Sequence, residues 1–157
     1  MCIRDRVKAA HWELTDVDGE VVAFDGQFDR PTILLFWATW CPFCKQLMPH
    51  LQSIKDQYGE DVDILALNVF EDDDPAEYLE EYGYQFRLIP NADSVGPKYG
   101  VKGTPGLFLV DQSGNVRYNL YDVRQTKAIP EDIKRWQRAA RLAPMWAAEL
   151  RRVMAGL

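Results

Sequence analysis

The chain has 157 residues, 47% of them apolar and 27% charged, the balance of an ordinary globular protein with enough length for one domain and a substantial core. Its net charge of −6 argues against a general phosphate-tracking surface and so against nucleic acid as a partner, and no run of about 18 apolar residues is present to cross a membrane as a helix. Charge is uneven: from Glu131 onward six basic residues face three acidic ones, so the tail carries +3 and the remainder −9, a bias that suits an anionic surface but is read first as a solvated helix face.

The opening Met1-Cys2-Ile3-Arg4-Asp5-Arg6 has neither an apolar h-region nor a small-residue cleavage site behind it, and so fits no leader type. It resembles a translated sequencing adapter. Residues 1–10 are therefore set aside as an artefactual or disordered leader, and a single domain is placed at 11–157. On this reading a membrane anchor belongs to the protein only if the native N-terminus lies upstream. Trp12–Asp16 and Val21–Phe24 are extended runs around Asp18-Gly19, which predicts an N-terminal hairpin. Ile33–Ala38 is continuously apolar after Pro31, the pattern of a strand buried on both faces of a sheet.

From Pro42 to about Tyr58 the spacing of Phe43, Leu47, Leu51 and Ile54 is helical, with Gly59 as a stop and Pro49 as a kink. Val62–Val69 reads as the next strand. Asp74-Pro75-Ala76-Glu77 combines an N-cap, a proline at the first helical position and a Glu placed to close a capping box, with Gly83 as the stop. Gly106–Asp111 and Val116–Tyr121 flank Gln112-Ser113-Gly114-Asn115, a hairpin signature. The tail 130–157 is expected to be helical, broken or bent at Pro144, with Trp146, Leu150, Val153, Met154 and Leu157 on one face. Trp136 and Trp146 are expected to pack it onto the domain. The fold class is α/β: a mixed central sheet with helices on both faces, an N-terminal hairpin extension and a C-terminal helical tail.

Cys41-Pro42-Phe43-Cys44, after Trp40, opens the first helix. Two thiols three positions apart at a helix start are close enough to form a disulfide, and the unpaired N–H groups and positive dipole end there favour a thiolate. Thiolate is the nucleophile of disulfide exchange. Cys41, at the exposed end, is assigned the attack and Cys44, one turn inside, the resolution of the mixed disulfide. Pro42 suits the first turn, and Phe43 sets an apolar group beside the reactive sulfur. A zinc site wants four ligands, and the only other candidates, Cys2, His11 and His50, have no supporting spacing; no metal is expected.

Phe36-Trp37-Ala38-Thr39-Trp40-Cys41-Pro42-Phe43-Cys44-Lys45 and the following Pro49 resemble the active-site segment of the thioredoxin superfamily. Tyr99-Gly100-Val101-Lys102-Gly103-Thr104-Pro105 is similar to that family's cis-proline loop. The leading hairpin and the inserted segment from about Asn68 to Tyr84 resemble the TlpA and ResA subgroup. The resemblance implies a thioredoxin-like fold, a cis Pro105 and a substrate strand that pairs with the backbone at Thr104, with Trp40, Pro42, Phe43 and Pro105 around it. It implies an exported or membrane-tethered reductant of protein thiols, those of cytochrome c maturation included, served by an upstream thiol electron donor. No cofactor beyond the Cys41–Cys44 disulfide is called for. There are departures: Leu35 stands where thioredoxins bury an Asp, Leu47 where the subgroup often has an acid, and Gly106 where Thr is commoner. Glu71 matches an acid near the active site of some members and is named as the proton acceptor for Cys44. Two other classes of function compete with thiol-disulfide exchange. One is a copper metallochaperone, which needs His50 to reach the motif; the other is a thiol peroxidase, whose usual Pro and Thr ahead of the cysteine are missing.

Overall fold

The computed structural model describes residues 7–123 and 129–157. In chain order they form strands β1 (Val7–Lys8), β2 (Trp12–Thr15), β3 (Val21–Phe24) and β4 (Thr32–Trp37), helix α1 (Pro42–Tyr58), strand β5 (Asp63–Asn68), helix α2 (Pro75–Tyr82), strands β6 (Arg87–Ile89), β7 (Gly106–Val110) and β8 (Asn115–Asn119), and helix α3 (Arg135–Ala155). The main sheet runs β1-β8-β7-β4-β5-β6, and β2 pairs with β3 in a separate hairpin. Strand β4 lies parallel to β5 and antiparallel to β7. Because it is central and covered on both sides, all six of its residues are buried, which is what its unbroken apolar run requires.

Alternation along β4 divides the interior in two. Ile33, Leu35 and Trp37 point into a core with Cys44, Leu47 and Leu51 of α1, Leu79 of α2 and Leu150 of α3. Leu34 and Phe36 point the other way, against Trp12, Val22 and Phe24 of the hairpin and against Val95 and Val101. All three α-helices therefore share one face. On the other face the helical cover expected from the sequence reduces to the 3-10 helix Gly96–Tyr99, and the hairpin supplies the remainder. Each large apolar side chain buried in these cores contributes about 1.5–3 kcal/mol. Leu35 and Leu47, both with no exposure, sit wholly inside the first core.

The leader boundary moves. Val7 and Lys8, expected to lie outside the domain, pair with Val116 and Asn115, and the Ala9 N–H donates to the Gly114 carbonyl at 2.9 Å. The pairing gives β8 a neighbour on its outer side, where unpaired N–H and C=O groups would otherwise face solvent. The hairpin turn is held by Asp16, whose Oδ1 accepts the N–H groups of Asp18 and Glu20, both at 2.9 Å. Its Oδ2 accepts Arg87 Nε at 3.0 Å and Nη2 at 2.8 Å, tying the hairpin to β6. At α2 the capping box is half closed. Asp74 accepts the Glu77 N–H at 3.0 Å, but its own N–H donates to Asp73 Oδ1 at 2.9 Å instead of to Glu77. Helix α3 begins at Arg135 rather than Pro130 and runs through Pro144. Trp146 packs against the first core, whereas Trp136 is 56% exposed and Leu157 47%.

Candidate active site

Strand β4 ends at Trp37, and a short turn delivers Cys41 to the N-cap of α1 with φ −80° and ψ 114°. Its Sγ accepts the Cys44 N–H at 3.3 Å, the task a Ser or Asp oxygen performs at most helix starts. Pro42 occupies the first helical turn, where its missing N–H is not needed. Both cysteines are free thiols. Cys41 is only 2% exposed and Cys44 fully buried, which corrects the expectation that Cys41 lies at an exposed end. The Thr104 backbone lies against it: Cys41 Sγ donates to the Thr104 carbonyl at 3.4 Å.

Position separates the two thiols chemically. A hydrogen bond from the Cys44 side chain, helped by Thr104 and by the backbone at Cys44 and Phe43, outweighs burial and brings the Cys41 pKa down to about 6. Burial, reinforced by the neighbouring Cys41, pushes Cys44 well above the usual thiol range. Thus one sulfur is a thiolate at neutral pH and the other a thiol. The Thr104–Pro105 bond is cis, as the resemblance implies. The Thr104 hydroxyl is buried with no conventional partner among the described residues, and it favours the thiolate of both cysteines. Gly106 follows because there is no room for more. A Cβ there would lie 2.9 Å from Val101 Cγ2 and 3.2 Å from Phe36 Cβ.

Glu71 reaches the site from the other side. Its oxygens accept the Thr39 N–H at 2.9 Å, the Thr39 hydroxyl at 2.5 Å, Asn68 Nδ2 at 2.8 Å, and the N–H groups of Asp72 and Asp73 at 3.1 and 3.3 Å. Partial burial raises its pKa, but these donors, Thr39 first, outweigh that and hold the carboxyl below its ordinary range. None of these bonds goes to Cys44. They tie the carboxylate to Thr39 and so to the loop before Cys41. Asn68 also donates to the Trp37 carbonyl at 3.2 Å. Neither Thr39 nor Asn68 was singled out from sequence. The available signal was a polar residue closing each of two adjacent apolar strand runs.

Trp40 is 44% exposed, and its Nε1 donates to the Phe70 carbonyl at 2.7 Å. Phe70 has φ 54° and is 46% exposed; its N–H donates to Asp93 Oδ1 at 2.9 Å. Opposite this edge a groove of about 330 Å³ opens between Phe43, Thr104 and Pro105 and the α3 residues Leu142, Met145 and Trp146. The Tyr121 hydroxyl donates to the Gly103 carbonyl at 3.3 Å, bracing the loop at its rim. A larger hollow of about 900 Å³ lies along β1, β8 and the far part of α3, and neither cysteine lines it. Among the described residues no three His, Cys, Asp or Glu side chains gather as metal ligands do. His50 lies half-buried on α1, and His11, exposed, meets the ring of Phe24 at 5.7 Å from outside the second core.

A family model described as the AhpC/TSA family matches residues 6–119. The chain is 30% identical over 112 residues to "Thiol-disulfide oxidoreductase ResA" of Bacillus thuringiensis (strain Al Hakam), covering 69% of this chain and 65% of that protein. It is 33% identical over 112 residues to the protein of the same name from Geobacillus thermodenitrificans (strain NG80-2), covering 69% and 64%. The chain thus spans just under two thirds of the length of these relatives. Its fold is similar to the thioredoxin domain of a thiol-disulfide oxidoreductase from Bacteroides vulgatus, with a TM-score of 0.64, 16% identity and coverage of 91% and 97%. The thioredoxin-like fold expected from the sequence is therefore the one observed.

Proposed function

The chain belongs to the AhpC/TSA family, and from that premise we propose that it is a thiol-disulfide oxidoreductase that reduces disulfides of other proteins. The observation that carries this reading is the contrast within the pair, a Cys41 sulfur capping α1 with its pKa down to about 6 beside a Cys44 thiol raised by burial. The Cys41 thiolate attacks one sulfur of a substrate disulfide. A new S–S bond joins Cys41 to the substrate, the old one breaks, and the departing substrate sulfur takes up a proton. Cys44 then attacks the Cys41 sulfur, and its proton passes to the second substrate sulfur, which leaves as a thiol. Two electrons and two protons have passed to the substrate, and the chain is left with a Cys41–Cys44 disulfide. A dithiol donor restores it by the same exchange in reverse. The chemistry needs no group beyond the two sulfurs.

In this reading Trp40, Pro42, Phe43, Thr104 and Pro105 seat the substrate strand around Cys41. Glu71 holds the Thr39 loop so that the sulfur meets that strand in a fixed place. The substrates are disulfides between protein thiols of an extracytoplasmic compartment, with the thiols of cytochrome c maturation as the leading class. No described helix is long and apolar enough to cross a membrane. The test is the reduction potential of the Cys41/Cys44 pair. A strongly negative value supports a reductant, and a value near the −120 mV or so of an oxidising foldase overturns it. Replacing Cys44 by Ser should also leave substrates trapped as mixed disulfides on Cys41. Tight one-to-one copper binding by the reduced protein without any disulfide exchange would favour the metallochaperone instead.

A further inference from the structure

The groove beside Cys41 has a wall from outside the matched family segment. That segment ends at residue 119, whereas Leu142, Met145 and Trp146 belong to α3. Their placement is fixed relative to the nucleophile. The Trp146 ring lies 6.0 Å from that of Phe43, inclined by 34°, and the Tyr118 hydroxyl donates to the Trp146 carbonyl at 3.1 Å. All three side chains are only half-buried, an apolar surface facing a cavity of about 330 Å³. That volume is at the small end for a ligand site, the size for a side chain or two.

Helical spacing extends this wall. Arg135 and Arg138 precede Leu142, Met145 and Trp146 on one stripe of α3, at steps of three and four. Among the described residues neither arginine joins an ion pair, and the tail they belong to carries +3. Neither arginine lines the cavity itself, and Arg138 Nη1 donates to the Pro130 carbonyl at 3.1 Å; the two charges lie one and two turns before Leu142 on the stripe that forms the apolar wall of the cavity. Thr104 and Pro105 line it at one end while the Thr104 carbonyl touches the Cys41 sulfur. An occupant of the groove is therefore continuous with whatever engages that sulfur.

We propose that the α3 wall selects substrates by the polypeptide beside their disulfide: a bulky apolar side chain next to the attacked cysteine fills the groove, and an acidic residue further along meets Arg135 and Arg138. This rests on the oxidoreductase reading above and makes Leu142, Met145 and Trp146 determinants of specificity for it. The occupant is an extended segment of a substrate protein. A second copy of the chain or a small apolar ligand would need no carboxylate.

The experiment uses the whole reduced chain and four disulfide peptides, with Leu or Gly beside the attacked cysteine and Asp or Lys three residues further on. The unsubstituted protein should favour Leu over Gly by about tenfold in kcat/KM and Asp over Lys by a few-fold at low salt. Met145→Ala and Leu142→Ala should each cut the Leu/Gly ratio several-fold, through KM more than kcat. Arg135→Glu, on the exposed side of the stripe, should reverse the Asp/Lys preference, and it remains informative if a groove variant fails to fold. Unchanged ratios in folded variants overturn the proposal, as does loss of the groove to a dimer through α3 on size-exclusion chromatography. Exchange of the unsubstituted protein with bis(2-hydroxyethyl) disulfide separates the two readings. Exchange there without peptide selectivity sinks this inference alone, while no exchange at all sinks the oxidoreductase reading and this one with it.

Discussion

The two flanks of Cys41 are built from opposite materials. On the Glu71 side five donors converge on one carboxylate, and Trp40 and Phe70 are joined by a further hydrogen bond. On the Phe43 side, contacts are apolar, the groove stays open, and the main polar group touching the sulfur is the Thr104 backbone. Hydrogen bonds to a charge have narrow geometry and fix position. Apolar contacts are permissive in direction and discriminate by size. The polar flank therefore determines where the nucleophile stands, and the apolar flank and helix start determine how it reacts and with what.

That division is tested most strongly by pH. With a Cys41 pKa of about 6, deprotonation creates the nucleophile, so alkylation by iodoacetamide should rise about tenfold from pH 5 to pH 7 and then level off. Glu71→Gln should leave the midpoint within a few tenths of a unit, because the shift originates at Cys44, Thr104 and the helix start. A midpoint moved by a full unit would show that the polar flank tunes the thiol as well.

Stability gives the next largest effect. Glu71→Ala orphans donors on Thr39, Asn68, Asp72 and Asp73, and at this half-buried site should cost about 2–3 kcal/mol in urea unfolding. The carboxyl is held below its ordinary value near 4.5, so its contribution is fully present above that pH and is lost as pH falls through the lowered value. The stability gap between the parent and Glu71→Gln should narrow below about pH 4.5. A gap that stays constant into acid would mean that the clamp does not depend on the charge.

Much of the apolar flank was legible in the sequence. A Cys at the first position of a helical pattern, a Pro behind it and an unbroken apolar strand ahead of it are local signals, and they led to Cys41, Cys44, β4 and α1 with nearly correct bounds. Thr104-Pro105 was legible only through resemblance. The polar flank was legible only in part. Resemblance led to Glu71, whose place before three aspartates gives no local signal of its own, but its partner Thr39 is 32 residues away, a pairing that only the β4–β5 register creates. Val7 meets Val116 across the sheet in the same way. Burial of Cys41 and the α3 wall likewise depend on how distant elements stack, which no local pattern encodes.

Beneath the apolar flank, Gly106 faces Phe36 across the β4–β7 pair, with Val101 2.9 Å from where a Cβ would stand. Gly106→Thr should overpack this point and cost about 1–2 kcal/mol, read as a fall in melting temperature of several degrees. A neutral result would mean that the Val101 loop yields, and that the rigidity assigned to this side is overstated.

The smallest effect should have the opposite sign. Phe70 holds a left-handed backbone, φ 54°, which costs a bulky residue on the order of 1 kcal/mol or more. Glycine adopts that conformation freely, although it loses more chain entropy on folding. The Phe70 N–H and carbonyl bonds to Asp93 and Trp40 are backbone contacts that Gly retains, and the ring, 46% exposed, gives up little burial. Phe70→Gly should therefore stabilise the chain by about 0.5 kcal/mol, measured by the urea midpoint at unchanged m. If the variant is instead destabilised, the ring contributes packing on the polar flank, and that flank is held by apolar contact as well as by hydrogen bonds.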